Sequence, residues 1–268
     1  VIFESEDFHQ KISYSMNIDL KQTNVLLTGA SRGIGFAIAK QLLASGAKVI
    51  LHHNRPSENI HQLEQTYPTQ AFGLRADLAE AQAVSQLWQQ ACEKLGEIHV
   101  LINNAGIAIE SSMEKEEEAW LNDWERTMQV NLTATAILSR QATQHFIKHQ
   151  LQGKLIHIAS RAAFRGDTTE YMAYAASKAG MVALSHSLAR AYGKQGITSF
   201  VIAPGFTQTD MAQEFIDKYG KEHALHDILL PNLTQPHDIA PMILLLASGL
   251  ADHATGTTIS INAGSYIR

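Results

Sequence analysis

The 268-residue chain carries 21 Lys and Arg against 26 Asp and Glu, a formal net charge of −5, and is 45% hydrophobic and 18% charged. That balance belongs to a folded globular protein, and without a long basic block it argues against nucleic acid as a partner. A single cysteine, Cys92, excludes an intrachain disulfide and fits a reducing compartment, so a cytoplasmic location is expected.

Residues 1–15 are polar and mixed, without the apolar centre of a secretory signal, and Met16 followed by Asn17-Ile18-Asp19-Leu20 reads as a natural start. They are taken as an extension to which no function is assigned. Residues 16–268 hold no run of 18 apolar residues, so no membrane span is expected. With no repeat or Pro/Gly/Ser linker, they read as one domain.

Seven short apolar runs follow, at 25–27, 48–51, 71–74, 99–102, 155–158, 199–202 and 258–261. Each is too short for a helix, and most are rich in β-branched residues. Between them lie amphipathic patterns, such as Ile34, Ile38 and Leu42, or Val84, Leu87, Trp88 and Ala91. Gly46, Gly96, Gly153 and Gly196 each precede a strand, where a helix end calls for positive φ. The alternation predicts an α/β Rossmann-type fold: a doubly wound seven-stranded parallel sheet of order 3-2-1-4-5-6-7, helices on both faces, ligands at the strands' carboxyl ends.

Directly after the first strand stands Thr28-Gly29-Ala30-Ser31-Arg32-Gly33-Ile34-Gly35, opening a helix. Glycines at this joint let backbone N–H groups approach a pyrophosphate, which rests on the positive end of the helix. The spacing, TGxxxGxG, departs from GxGxxG. The second strand runs into His52-His53-Asn54-Arg55, without the acid that would hold the ribose 2′-hydroxyl of NAD(H). Arg32 and Arg55 suit a 2′-phosphate, so NADP(H) is favoured, with NAD(H) the alternative. In Ala76-Asp77-Leu78, Asp77 is placed either to cap a helix or to reach the adenine.

Glu114 to Glu118 form a charge run read as a solvated helix start. His145 and His149 share a helix face, but two further ligands are missing and no metal is expected. Tyr174-Ala175-Ala176-Ser177-Lys178 puts Tyr174 and Lys178 on one helical face, where an ammonium favours the phenolate of a group whose ordinary pKa is about 10. Ser160, ending the fifth strand, is placed to hold a substrate oxygen, and Asn131, inside a long fourth helix, to bridge a water to Lys178.

These residues together resemble the short-chain dehydrogenase/reductase family, in its single-domain branch, over about residues 21–264. The likeness includes the glycine turn, Asn103-Asn104-Ala105-Gly106, Asn131, Ser160, Tyr174, Lys178 and Pro204-Gly205 with Thr207 and Thr209. It implies Tyr174 as general acid/base and, with Lys178, a cofactor contact, Ser160 as the carbonyl-orienting donor, and Lys178 as a ribose ligand that lowers the Tyr174 pKa. It also implies Asn131 as the anchor of a relay water. Gly29, Ser31, Arg32, Gly33, Ile34, Gly35, Asn54, Arg55, Asp77 and Leu78 would hold the dinucleotide. Asn104, Ala105 and Gly106 would line its adenosine side, and Pro204, Gly205, Thr207 and Thr209 its carboxamide. Within the family, the glycine turn and Gln235-Pro236-His237-Asp238-Ile239-Ala240 are similar to 3-oxoacyl-acyl-carrier-protein reductases.

Departures from that pattern are specific. Tyr171 stands seven residues before Lys178, a spacing that resembles the enoyl-reductase branch; Tyr174 is taken as catalytic. The approach to the site is charged (Arg165, Asp167, Glu170), and the turns before the fifth and sixth strands are only partly basic, which bears against carrier-protein docking. Asn262-Ala263-Gly264 replaces a more typical Asp-Gly-Gly. Residues 206–233 are expected to hold an apolar substrate lid, with Met211, Phe215, Ile216, Tyr219, Leu225, Ile228 and Leu229. The family implies a homotetramer or dimer built on helices at about 120–150 and 171–192. The leading reading is NADPH-dependent reduction of a ketone, with a 3-oxoacyl thioester as substrate. The alternatives are an NAD(P)-linked dehydrogenase of a sugar, polyol or other small alcohol, and a non-catalytic dinucleotide-binding regulatory protein.

Overall fold

The computed structural model describes residues 18–209, 225 and 227–267. The extension and most of the expected lid, including Met211, Phe215, Ile216 and Tyr219, lie outside the described residues.

Seven parallel strands form one sheet in the order β3-β2-β1-β4-β5-β6-β7: β1 (Asn24–Leu27), β2 (Lys48–His53), β3 (Ala71–Arg75), β4 (Val100–Asn103), β5 (Lys154–Ile158), β6 (Thr198–Pro204) and β7 (Thr258–Ile261). The expected order is the observed one. Successive residues along each strand face opposite sides, so a strand covered on both sides is apolar at most positions. Val25, Leu27, Val49, Leu51, Val100 and Ile102 join one core. That core includes Ile38 and Leu42 of α1 (Gly33–Ala44) and Ile239 and Ile243 of the helix at Pro236–Ala247. The intervening Leu26, Ile50, Leu101 and Leu155 meet α3 (Ala81–Leu95) and α5 (Ala134–His149) through Val84, Leu87, Leu138 and Phe146. Helix α2 (Glu58–Thr66) packs Ile60 and Leu63 into the first core. Among the described residues, no helix is long and apolar enough to cross a membrane.

Two local expectations need correction. Gly46, Gly96 and Gly196 have φ of 92°, 74° and 79°, as their turns require, but Gly153 does not have positive φ. The left-handed residue ending α5 is Gln150, with φ 55°. Gly153 is small for another reason: a Cβ there would lie 2.0 Å from the Phe146 ring. The long fourth helix is also not continuous. It runs as α4 (Glu117–Met128), a π-helical turn (Gln129–Thr133) and then α5, and Asn131 sits in the π turn. Such turns are common at functional sites because they re-aim side chains and free backbone groups.

Candidate active site

The glycine turn is braced from two neighbouring strands. Gly29 has φ 67°, a left-handed conformation costly for other residues, and a Cβ on Gly35 would lie 2.0 Å from the Gly29 carbonyl oxygen. Thr28 Oγ1 accepts from the backbone N–H groups of Asn104 (2.9 Å) and Ala105 (3.0 Å). Asn104 Nδ2 donates to the carbonyls of Thr28 (2.9 Å) and Gly29 (3.0 Å). The Asn104 side chain is thus committed to holding the β1 and β4 turns together. Asn59, not singled out on sequence, donates to the Ser31 carbonyl at 2.8 Å. Helix α1 starts without a side-chain cap or an acid in its first turn, leaving its leading N–H groups for an anion. The cradle therefore fits a dinucleotide pyrophosphate.

On either side of this turn lie the other expected cofactor residues. Arg32 and Arg55 are exposed, Asn54 precedes Arg55 in the loop after β2, and Arg75, also missed on sequence, donates to the Asn54 carbonyl at 2.9 Å. Asp77 Oδ1 accepts from the Ala79 N–H at 2.9 Å, so it closes the turn before α3, while the α3 cap is Glu80; Leu78 is buried. The 204–209 segment comes within reach of the turn: a Cβ on Gly33 would lie 3.1 Å from Thr209 Cγ2. Gly205 donates to the Ile261 carbonyl at 3.0 Å, and Thr207 bridges in parallel to Thr234, tying the two ends of the intervening segment.

Ser160 follows β5, the short α6 (Ala162–Arg165) comes next, and Tyr174 and Lys178 project from α7 (Met172–Tyr192). Ser160 Oγ accepts from the Ala162 N–H at 3.1 Å, and its hydroxyl is near enough to the Tyr174 phenol to favour the phenolate. Tyr171 instead lies in the 3-10 turn Thr169–Tyr171 ahead of α7. Lys178 is buried; its Nζ donates to the Ile158 carbonyl at 2.8 Å and stands 5.7 Å from the Tyr174 ring centroid. Burial pulls the lysine pKa down to about 8. The expected downward pull of Lys178 on Tyr174 is not what dominates. Burial raises the Tyr174 pKa and the Asp167 carboxylate adds to it, opposed by the Ser160 hydroxyl. The phenol is therefore protonated at neutral pH, the form that can donate.

Asn131 joins the β4 turn to α7. Its Nδ2 donates to the Ile107 carbonyl (2.9 Å) and Ser177 Oγ (3.0 Å), and its Oδ1 accepts from the Ile107 N–H (2.8 Å). Ser177 Oγ in turn donates to the Tyr174 carbonyl at 2.7 Å, a link the sequence reading missed. The Asn131 carbonyl accepts from Thr135 Oγ1 at 2.8 Å. A Cβ on Gly106 would lie 3.1 Å from Lys178 Nζ, so the β4 turn and the lysine are in close approach. Beside them His157 is buried, its pKa lowered to about 3 by burial and by the Lys178 charge, with Nδ1 3.2 Å from Asn103 Nδ2.

Charge gathers at the mouth of the site. Asp227 pairs with Arg165 at 3.0 Å and with Arg161 at 3.8 Å. Elsewhere, His145 Nε2 accepts from the Ile98 N–H at 3.1 Å and His149 meets Glu97 at 3.7 Å. Among the described residues, no group of three potential ligands could hold a metal.

Comparison with known proteins agrees with this geometry. The short chain dehydrogenase family model matches residues 23–220. A 3-oxoacyl-[acyl-carrier-protein] reductase of Haemophilus influenzae is 35% identical, covering 90% of this chain and 97% of its own. The Aquifex aeolicus reductase of the same name is 30% identical, covering 94% and 100%. A short chain dehydrogenase from Burkholderia cenocepacia, solved in complex with NADP, superposes with a TM-score of 0.83 at 29% identity, covering 93% of this chain and 99% of its own. The fold, the matched span and these relatives lead to one conclusion: the chain belongs to the short-chain dehydrogenase family of NAD(P)-dependent oxidoreductases.

Proposed function

We propose that the protein reduces a ketone to a secondary alcohol with NADPH, and that Tyr174 supplies the proton. The observation that carries this is Ser160, Tyr174 and Lys178 gathered at the carboxyl end of β5, with Lys178 Nζ on the Ile158 carbonyl and 5.7 Å from the Tyr174 ring centroid. Gly29, Ser31, Gly33, Ile34 and Gly35 would hold the pyrophosphate at the α1 N-terminus, with Asp77, Leu78, Ala105 and Gly106 on the adenosine side. Pro204, Gly205, Thr207 and Thr209 would take the carboxamide. When bound, the nicotinamide supplies the hydride.

The chain's own work is orientation and proton delivery. Ser160 and Tyr174 hold the carbonyl oxygen, and Tyr174 gives its proton as negative charge develops there. Lys178, mostly an ammonium at pH 7 with its pKa about 8, sits where it can bind the ribose and stabilise the phenolate left behind. Asn131, held by Ile107, Ser177 and Thr135, would anchor a water that returns the proton through Lys178. NADP(H) rather than NAD(H) is supported by Arg32 and Arg55, by the lack of an acid after β2, and by the NADP-bound relative.

The 3-oxoacyl thioester is the favoured substrate, supported by identities of 30 and 35% to the reductases named above. The Arg161–Asp227–Arg165 cluster favours a second reading, a small polar ketone or alcohol such as a sugar or polyol. A homotetramer or dimer built on 120–150 and 171–192 is supported by the exposed Leu121 and the stacked Trp120–Trp124 pair on that helix. A cytoplasmic setting is consistent with the single cysteine. Cofactor oxidation over a ketone panel, with NADPH and NADH compared, tests the reaction, the cofactor and the substrate. NADPH preference with best kcat/KM on 3-oxoacyl thioesters is expected. Preference for a polyol or sugar transfers the substrate to the second reading, and NADH preference overturns the role given to Arg32 and Arg55.

A further inference from the structure

His52 ends the apolar part of β2, yet it is buried, with 2% of its surface exposed. Its two ring nitrogens bridge the two turns that the dinucleotide would touch. Nδ1 lies 3.1 Å from the backbone nitrogen of Gly29 and accepts its hydrogen, at the start of the phosphate cradle. Nε2 lies 3.1 Å from the carbonyl oxygen of Ala76, the residue before Asp77 and Leu78. Only one neutral tautomer satisfies both contacts: Nδ1 must accept and Nε2–H must donate. The backbone adds to the same join, because Ala30 donates to the His52 carbonyl at 2.9 Å and Ala76 to the His53 carbonyl at 3.2 Å.

From this geometry we infer that His52 is a positioning residue for the cofactor: it fixes the distance and orientation between the pyrophosphate turn at Gly29 and the adenosine turn at Ala76–Leu78. The inference rests on the dinucleotide reading of the cradle. Gly29 is held by two contacts and by its own backbone conformation. Asn104 takes its carbonyl, the left-handed φ sets its direction, and His52 takes its N–H. Removing the imidazole leaves the part-buried Gly29 N–H and the buried Ala76 carbonyl without their partners and uncouples the two turns. The ring never touches the reacting atoms. Its loss therefore weakens binding of the adenosine half and leaves proton and hydride transfer intact once cofactor is bound.

The experiment compares NADPH binding, read by its fluorescence, in the native protein and in His52→Leu, His52→Asn and His145→Leu. The last is a control, since His145 also accepts a backbone N–H, from Ile98, away from the site. His52→Leu is expected to weaken NADPH and 2′-phospho-ADP-ribose alike, by about tenfold. The KM for ketone at saturating cofactor should stay within about twofold. His52→Asn keeps an acceptor near Gly29 and is expected to recover most of the loss. His145→Leu should lower the melting temperature without changing either dissociation constant. Equal binding by native protein and His52→Leu would overturn the inference while leaving the cofactor reading intact. So would His52→Asn as weak as His52→Leu, or an equal loss in His145→Leu. If the native protein binds neither NADPH nor NADH, the cofactor reading fails first and the positioning role falls with it.

Discussion

On the α1 side of the sheet, Val49 and Leu51, Val100 and Ile102, and Ile156 and Ile158 are aliphatic and pack with Ile38, Leu42, Ile239 and Ile243; of these three strands, β2 alone ends on this side in a polar residue, the half-buried His53. The opposite side begins the same way, with Ile50, Leu101 and Leu155. Two residues further along those three strands it turns to His52, Asn103 and His157, all buried. Ser139, Ser177 and Lys178 add buried polar groups from α5 and α7 on this side. One face therefore supplies mainly apolar burial, with His53 and Lys154 at strand ends as its polar exceptions. The other gives up part of that stabilisation near the carboxyl ends, where unpaired buried polar groups cost about 1–3 kcal/mol each and must be held by specific partners. Chemistry is concentrated on the face that is least favourable to folding.

Substitutions can break this contrast in either direction. The largest effect is expected from Lys178→Met. Turnover should fall by about a hundredfold or more, as when a charged group at developing transition-state charge is removed. Stability should move the other way. With its pKa drawn from 10.5 to about 8, the buried ammonium costs the fold about 3 kcal/mol at neutral pH, a penalty that fades as pH rises from about 8 to above 10.5. Thermal melting at pH 7 should show a midpoint no lower than native, even with the Ile158 hydrogen bond lost.

Leu42→Ala, on the apolar face, should show the reverse pattern: about 2–5 kcal/mol less stable by urea unfolding, with kcat unchanged.

Acid should strike the polar face next. His52 and His157 have folded pKa values of about 4 and about 3, and those of His99 and His145 are lowered too, in each case first by burial. The unfolded chain takes up these protons first, near pH 6.5, so the neutral rings stabilise the fold fully above that pH. As pH falls through 6 to 4, His52 and His157 should each remove about 1.4 kcal/mol per pH unit. Urea midpoints measured across that range check the slope.

The smallest effect should come from the buried hydroxyl pair of Ser185 and Ser199, 2.8 Å apart between α7 and β6. Either single Ala substitution should cost about 1 kcal/mol. The double substitution should cost less than the two added together, because no unpaired hydroxyl remains.

What could be read from sequence follows the same division. Strand order and the apolar face were legible because they rest on local periodicity and on short apolar runs separated by helical patterns. Tyr174 and Lys178 were legible because they are four residues apart on one helix. Ser177 and His52 were not, since their meaning lies in partners 46 and 23 residues away. The π turn at Asn131 escaped because one extra residue in a helical turn leaves no mark in composition, and Gly153 was misread because crowding by Phe146 and a positive φ select the same residue.

The most direct test of the account is NADPH oxidation by native protein and Tyr174→Phe with the best ketone of the panel, alongside NADPH binding by each. Turnover should be lower by about 10²–10⁴-fold in the variant, with cofactor affinity and melting temperature little changed. Turnover retained by a phenylalanine at this position would contradict the account, and would move the proton donor away from Tyr174.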